Sequence, residues 1–170
     1  MRDNRQLVSG IFSTQRDVES VMDALHARGL TDQDVSVLMS EHTQARYPGL
    51  RTTEGSKIPE GMSTGGIAGG LLGALIGGLA VTGTVLLPGV GLLVAGPLLG
   101  ALTGIGIGAA AGGLAGALIG AGIPEEKARV YEESLKQEGN IVIIAHVPPT
   151  QSRDVEMLFE RYGAQHLQVR

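Results

Sequence analysis

Apolar positions in this chain follow different rules in different places. Gln6–Phe12 (Q-L-V-S-G-I-F) is a short, largely apolar run that predicts a strand. Val18, Val21, Met22 and Leu25 then recur at helical spacing, with Ser13 or Thr14 placed to cap the helix and Gly29 to end it. Val35, Val37 and Met39 return to alternation, which is strand period. Near the other end, Pro124 with Glu125 and Glu126 opens a helix, since proline fits its first turn and negative charge suits its positive end. That helix is expected to reach about Gln137. Asn140–Val147 (N-I-V-I-I-A-H-V) reads as a buried strand stopped by Pro148 and Pro149. Thr150 or Ser152 starts a short helix with Val155, Leu158 and Phe159 inward, Gly163 ends it, and His166–Arg170 is a last strand.

These segments give β-α-β in the first flank and α-β-α-β in the second. The tetrapeptide R-D-V-E stands at Arg16–Glu19 and again at Arg153–Glu156, each time in the first turn of a helix that follows a strand. The shared order points to a duplication. The expected fold is α+β: a split ferredoxin-like domain (βαβ + βαβ) with a long apolar helical hairpin inserted. The boundaries are 1–40 for the first half, 41–60 for a polar linker carrying Tyr47-Pro48-Gly49, 61–124 for the insert and 125–170 for the second half.

The middle obeys another rule. Glycine recurs every fourth residue at Gly65, Gly69, Gly73 and Gly77, and again at Gly96, Gly100, Gly104, Gly108, Gly112, Gly116 and Gly120. Residues four apart share a helix face. In water each mid-helix glycine costs about 0.8–1 kcal/mol relative to alanine, whereas in lipid the backbone must bond internally and small residues let helices approach closely. The rows therefore predict helix-packing and oligomerisation surfaces, joined by a turn at Pro88-Gly89. Four residues turn about 400°, so the row drifts about 40° per step and different parts of it face different neighbours. A homo-oligomer follows. Met62–Leu87 and Pro97–Gly122 are 26 residues each, about 39 Å as helix against a hydrocarbon core of about 30 Å.

Charge sharpens this division. No Asp, Glu, Lys, Arg or His occurs across the 64 residues from Gly61 to Pro124, and 21 of the 27 glycines lie between Gly61 and Gly122. All 30 formal charges sit in the flanks, and the net charge of −4 with no Lys/Arg cluster argues against nucleic acid as a partner. There is no cysteine, hence no disulfide, thiol nucleophile, thiolate metal site or lipid-modified cysteine. Basic residues at the start are not followed by an apolar core before Ser13, so no signal peptide is read and the flanks are expected on the cytoplasmic side of the plasma membrane. The run holds no Phe, Tyr or Trp, so the aromatic belt of a membrane span is missing. A soluble oligomer that buries the hairpin is the alternative.

Several residues resemble the bacterial general-stress and heat-induced stress protein family, whose members pair short α/β ends with a glycine-zipper middle. They are V-S-G-I-F (Val8–Phe12), L-P-G-V-G (Leu87–Gly91), A-G-P-L (Ala95–Leu98) and G-I-P-E-E-K-A (Gly122–Ala128). The resemblance implies a stress-linked role and supplies no reaction and no catalytic residue. A looser similarity, in the middle alone, is to glycine-zipper outer-membrane lipoproteins, from which this chain departs by lacking cysteine and signal peptide.

Candidate chemistry is sparse. Gly106-Ile-Gly108-Ala-Ala-Ala111 fits a dinucleotide pattern but has no preceding strand and sits inside the apolar run. His26, His42, His146 and His166 are scattered, and only His146 and His166 become neighbours if their strands pair. Glu125, Glu126, Glu132 and Glu133 read as a solvated helix face, and Ser9, Ser13 and Ser134 lack a nucleophile elbow. Thr82 and Thr84 read as helix residues bonding back to the preceding turn, with a pore lining as the sharper alternative. The chain is thus expected to be a non-enzymatic, stress-associated membrane protein without cofactor or metal, whose partners are itself and the lipid bilayer. The competing expectation is a sensor or ligand-binding α/β module that the hairpin anchors.

Overall fold

The computed structural model of the chain describes residues 5–40, 42–43, 84–87, 92–98 and 108–170. Within them lie six strands and four helices: β1 (Gln6–Phe12), α1 (Gln15–His26), β2 (Val35–Ser40), β3 (Thr84–Leu87), β4 (Leu92–Ala95), α2 (Gly108–Gly120), α3 (Glu125–Leu135), β5 (Ile141–Val147), α4 (Ser152–Arg161) and β6 (Gln165–Val169). The fold is α+β. The strands form one antiparallel sheet in the order β3-β4-β2-β5-β1-β6.

The flanks form where their periodicity places them. Thr14 caps α1 by accepting from the Asp17 amide at 3.2 Å, and Val18, Val21, Met22 and Leu25 are its buried residues. Gly29 follows at φ +82°, which favours glycine. Pro124 is the cap residue of α3 rather than its first turn, and α3 stops at Leu135. Gln151 caps α4 without a side-chain bond, while the Ser152 hydroxyl donates back to the Pro149 carbonyl at 3.0 Å. Both R-D-V-E segments open a helix, α1 and α4.

The four flank strands obey a pseudo-two-fold exchange. β1 and β5 pair at the centre, with Ser9 opposite Ile144. β1 leads through α1 to β2, which pairs with β5, and β5 leads through α4 to β6, which pairs with β1. Side chains alternate across the sheet. Val8, Phe12, Val37, Met39, Ile143 and Phe159 belong to one core, under α1 and α4, where Phe12 and Phe159 meet edge-to-face with centroids 5.3 Å apart.

A second core covers the opposite face. Ile11, Leu38, Val142 and Ile144 pack there against Leu114 and Leu118 of α2 and Ala128, Tyr131 and Leu135 of α3. The domain therefore has three layers, with helices on both sides of the sheet. β5 is buried along nearly its whole length because both of its faces are covered.

The middle differs most from the sequence pattern. Thr84–Leu87, expected as the end of the first helical span, and Leu92–Ala95, between the two spans, are antiparallel strands with Leu87 opposite Leu92. β4 joins the sheet beside β2, so this part of the 61–124 insert belongs to the body of the domain. The physical reason is local: T-V-L-L and L-L-V-A are glycine-free apolar runs of four residues, bounded by Gly and Pro. Thr84 accordingly lies on a strand, so helix back-bonding does not apply to it. A continuous helix over Pro97–Gly122 does not form either: α2 spans Gly108–Gly120 and is broken inside by Gly113 at φ 62°, ψ −153°. Its 13 residues extend about 20 Å at most. Among the described residues no helix is long and apolar enough to cross a membrane. Gly65, Gly69, Gly73, Gly77, Pro88, Gly89, Gly100 and Gly104 lie outside the described residues.

Candidate functional site

The described glycines of the row have separate surroundings. Gly96 is on no helix; it follows β4 at φ +93°, pressed against the backbone of β2. Beside it the buried Leu98 amide donates to the Ser36 hydroxyl at 3.0 Å. The A-G-P-L segment is thus the clasp by which the β3–β4 hairpin holds β2. Gly108, Gly112, Gly116 and Gly120 lie on α2. Leu114 and Leu118 of that helix are buried on the sheet, Gly116 is half-buried, and Ile119 and Gly120 are exposed. Around Gly120 the row faces away from the chain's own core.

The histidines do not converge. β1 lies between β5 and β6, so His146 and His166 are not strand neighbours. His26 Nε2 sits 2.9 Å from Asp32 Oδ1 across the turn after α1. No group of three or more His, Asp or Glu suited to a metal occurs among the described residues.

A different constellation emerges where α3 crosses the outer edge of the sheet. Tyr131 projects from α3 into the second core and is fully buried. Its hydroxyl donates to the His166 carbonyl at 3.0 Å and lies 2.8 Å from Ser9 Oγ. A phenol has one proton, so the Ser9 hydroxyl is the donor in the second bond. Burial pushes the Tyr131 phenol up to about 12, against the smaller downward pull of the Ser9 hydrogen bond.

The carbonyl that Tyr131 holds belongs to a bulge. Ser9 pairs with Gln168 but Ile11 with Gln165, so the register shifts by one residue around Gly10. His166 carries the irregularity at φ 52°, and it is the sole non-glycine residue with positive φ among those described. A Cβ on Gly10 would stand 2.9 Å from the Ala164 Cβ, so the absence of a side chain there lets the start of β6 approach.

Between this bulge and the last turns of α3 runs an open groove of about 350 Å³. Ile11 and Val130 are its apolar lining, and Glu133, Gln137, Gln165 and His166 supply polar groups. Ser134 and Asn140 also line it but bond each other, Asn140 Nδ2 donating to Ser134 Oγ at 3.2 Å, while Asn140 Oδ1 accepts from Ser13 at 3.0 Å. Glu133 Oε2 accepts from Lys136 at 2.9 Å, and that hydrogen bond, with the carboxylate charge, holds the Lys136 ammonium above its usual value. The sequence reading placed Glu133 on a solvated face, which agrees with the exposure of this pair. It did not single out Tyr131, Gln137 or Gln165. The G-I-P-E-E-K-A segment leads into this helix, and its Lys127 ammonium donates to the Leu167 carbonyl of β6 at 3.3 Å.

Comparison with known proteins gives one relationship. The family described as "Protein of unknown function (DUF1269)" matches residues 80–170, just over half of the chain. No curated protein and no solved structure matches. The matched region runs from β3 to β6 and leaves out β1 and β2, which stand between its strands in the sheet.

Proposed function

The chain belongs to the DUF1269 family of proteins of unknown function, and on that premise we propose a non-enzymatic, self-assembling protein that uses its glycine-rich segment as the contact surface. The observation that carries this reading is the orientation of α2. Its large residues, Leu114 and Leu118, serve the chain's own core, whereas Ile119 is 41% exposed and Gly120 lies beside it on the outside. A bare, uncharged helix face allows close approach of a second helix. The copy that fits it is another glycine row of the same kind.

The strand order β6-β1-β5-β2 and the pseudo-two-fold exchange support reading the flanks as a duplicated, split ferredoxin-like fold. In this reading the apolar insert adds β3, β4 and α2 to that fold and carries the remaining glycine rows. The 64-residue uncharged run supports contact with a lipid bilayer, and the resemblance to stress proteins supports a role in organising or protecting that membrane under stress.

Mass determination of the purified full chain tests the assembly, before and after Gly120→Leu and Ile119→Glu. Both positions are exposed, so the domain is expected to keep its fold by circular dichroism while the assembly dissociates. An unchanged oligomer overturns the reading. Alkaline-carbonate fractionation of cells tests the membrane part: material in the soluble fraction removes the bilayer and leaves a soluble oligomer.

A further inference from the structure

We infer that the groove between the end of α3 and the β6 bulge binds a small organic cation, a primary ammonium group on an aliphatic stem. The inference goes beyond self-assembly and does not rest on it.

Size comes first. At about 350 Å³ the groove falls within the range of small-molecule sites. Its lining divides as an amphipathic ligand requires, with Ile11 and Val130 for a hydrocarbon stem and polar side chains for its head.

Charge selects the head group. Glu133 supplies the formal charge in the lining, and the groove lies along the last turns of α3, whose C-terminal end is electronegative. Lys136 occupies one carboxylate oxygen of Glu133, Oε2. Both partners are well exposed, at 64% and 70%, and a pair of that kind holds little free energy, so a bound ammonium displaces or shares it readily. An anion would meet the carboxylate and the negative helix end together.

Hydrogen bonding agrees. The amides of Gln137 and Gln165 and the imidazole of His166 line the groove and hold no side-chain hydrogen bond within the described part of the chain. Ser134 and Asn140 are committed to each other and to Ser13. The open groups can present oxygens or a ring nitrogen to an ammonium, which has three protons to give.

The site is also held in place before any ligand arrives. His166 stands at φ 52°, a strained setting for a side chain of its size. Its carbonyl is fixed by the buried Tyr131 hydroxyl, which Ser9 orients in turn. Bulges of this kind re-aim side chains at sheet edges.

The experiment is an amide-resonance titration of the full chain with butylamine, butanol and butyrate, three probes sharing an aliphatic stem. Butylamine is expected to move the Gln165 and His166 signals saturably, butanol to bind about tenfold more weakly or worse, and butyrate not at all. Glu133→Gln is expected to weaken butylamine about threefold, the size an exposed ion pair allows. His166→Gly keeps the backbone at an angle glycine tolerates, so it is expected to weaken binding without lowering the thermal midpoint. Glu125→Gln, on the first turn of the same helix, should leave binding unchanged. Equal binding of butanol, no saturable shift, equal loss in Glu125→Gln, or full affinity in both Glu133→Gln and His166→Gly overturns the assignment. The assembly mass is read separately, so failure here is distinct from failure of the self-assembly reading.

Discussion

A Cβ placed on Gly96 would stand 2.2 Å from the carbonyl oxygen of Val35 and 2.8 Å from the Cα of Ser36. Those atoms are backbone of a central strand and have nowhere to go. Gly96→Ala is therefore expected to destabilise the domain by about 2–4 kcal/mol, through the collision and through the φ of +93°. A glycine in mid-helix would respond with the opposite sign, gaining about 1 kcal/mol on change to alanine. Urea midpoints of the two proteins decide between them.

Tyr131 governs the alkaline limb of stability. Its folded-state pKa is raised from 10.0 to about 12. The stabilisation is complete below pH 10 and is lost as pH rises through about 12, since the unfolded chain ionises first. The loss amounts to about 2–3 kcal/mol. Tyr131→Phe should flatten that limb and, at neutral pH, cost about 1–3 kcal/mol, because the His166 carbonyl and Ser9 hydroxyl lose their partner. Ser9→Ala leaves the bond from Tyr131 to His166 intact and should cost less. Urea unfolding between neutral and alkaline pH checks both.

The acid limb depends in part on Asp34. Burial raises this carboxyl, but the Thr31 amide and hydroxyl, at 2.9 and 2.8 Å, and the Arg5 guanidinium outweigh it and leave the group below 3.8. A depressed pKa stabilises the fold above the unfolded value and loses that contribution as pH falls through the folded one. Asp34→Asn should lower the midpoint at neutral pH and shrink its decline on acidification, with the two proteins converging at the lowest pH.

Gly10 and Ala164 should behave as a coupled pair. With 2.9 Å between a new Cβ and the Ala164 Cβ, Gly10→Ala is expected to cost about 1–3 kcal/mol. Ala164→Gly removes the colliding atom, so the double variant should recover part of the loss. A double-mutant cycle with no interaction energy would show that β6 yields elsewhere.

Much of the flanking structure is legible in the chain. β1 has the predicted bounds, and the four buried residues of α1 are those at helical spacing, because a single amphipathic face writes its period plainly. β3 and β4 are hidden by their surroundings: glycine every four residues suggests a helix, while the strands occupy two short windows between the glycines. The third layer is hidden for another reason. Leu114 and Leu118 are apolar in an apolar run, and nothing in such a run says which side meets the sheet. The groove is less legible still. Gln137 and Gln165 are 28 positions apart and meet only through the crossing of α3 over β1 and β6. The positive φ of His166 follows from a register shift against Gly10, which no local signal at His166 announces.

The place of β1 between β5 and β6 sets an order in time. During synthesis β1, α1 and β2 leave the ribosome first, yet the two neighbours of β1 are β5 and β6, made after the whole uncharged run. Ser9 waits for Ile144, 135 positions later. At roughly 5–20 residues per second that delay lasts on the order of ten seconds. By the end of it the whole glycine-rich run has been made, while the sheet that α2 will cover still lacks β5 and β6. The newborn chain therefore offers its apolar segment to a chaperone, a membrane or a sister chain before its own domain can claim it.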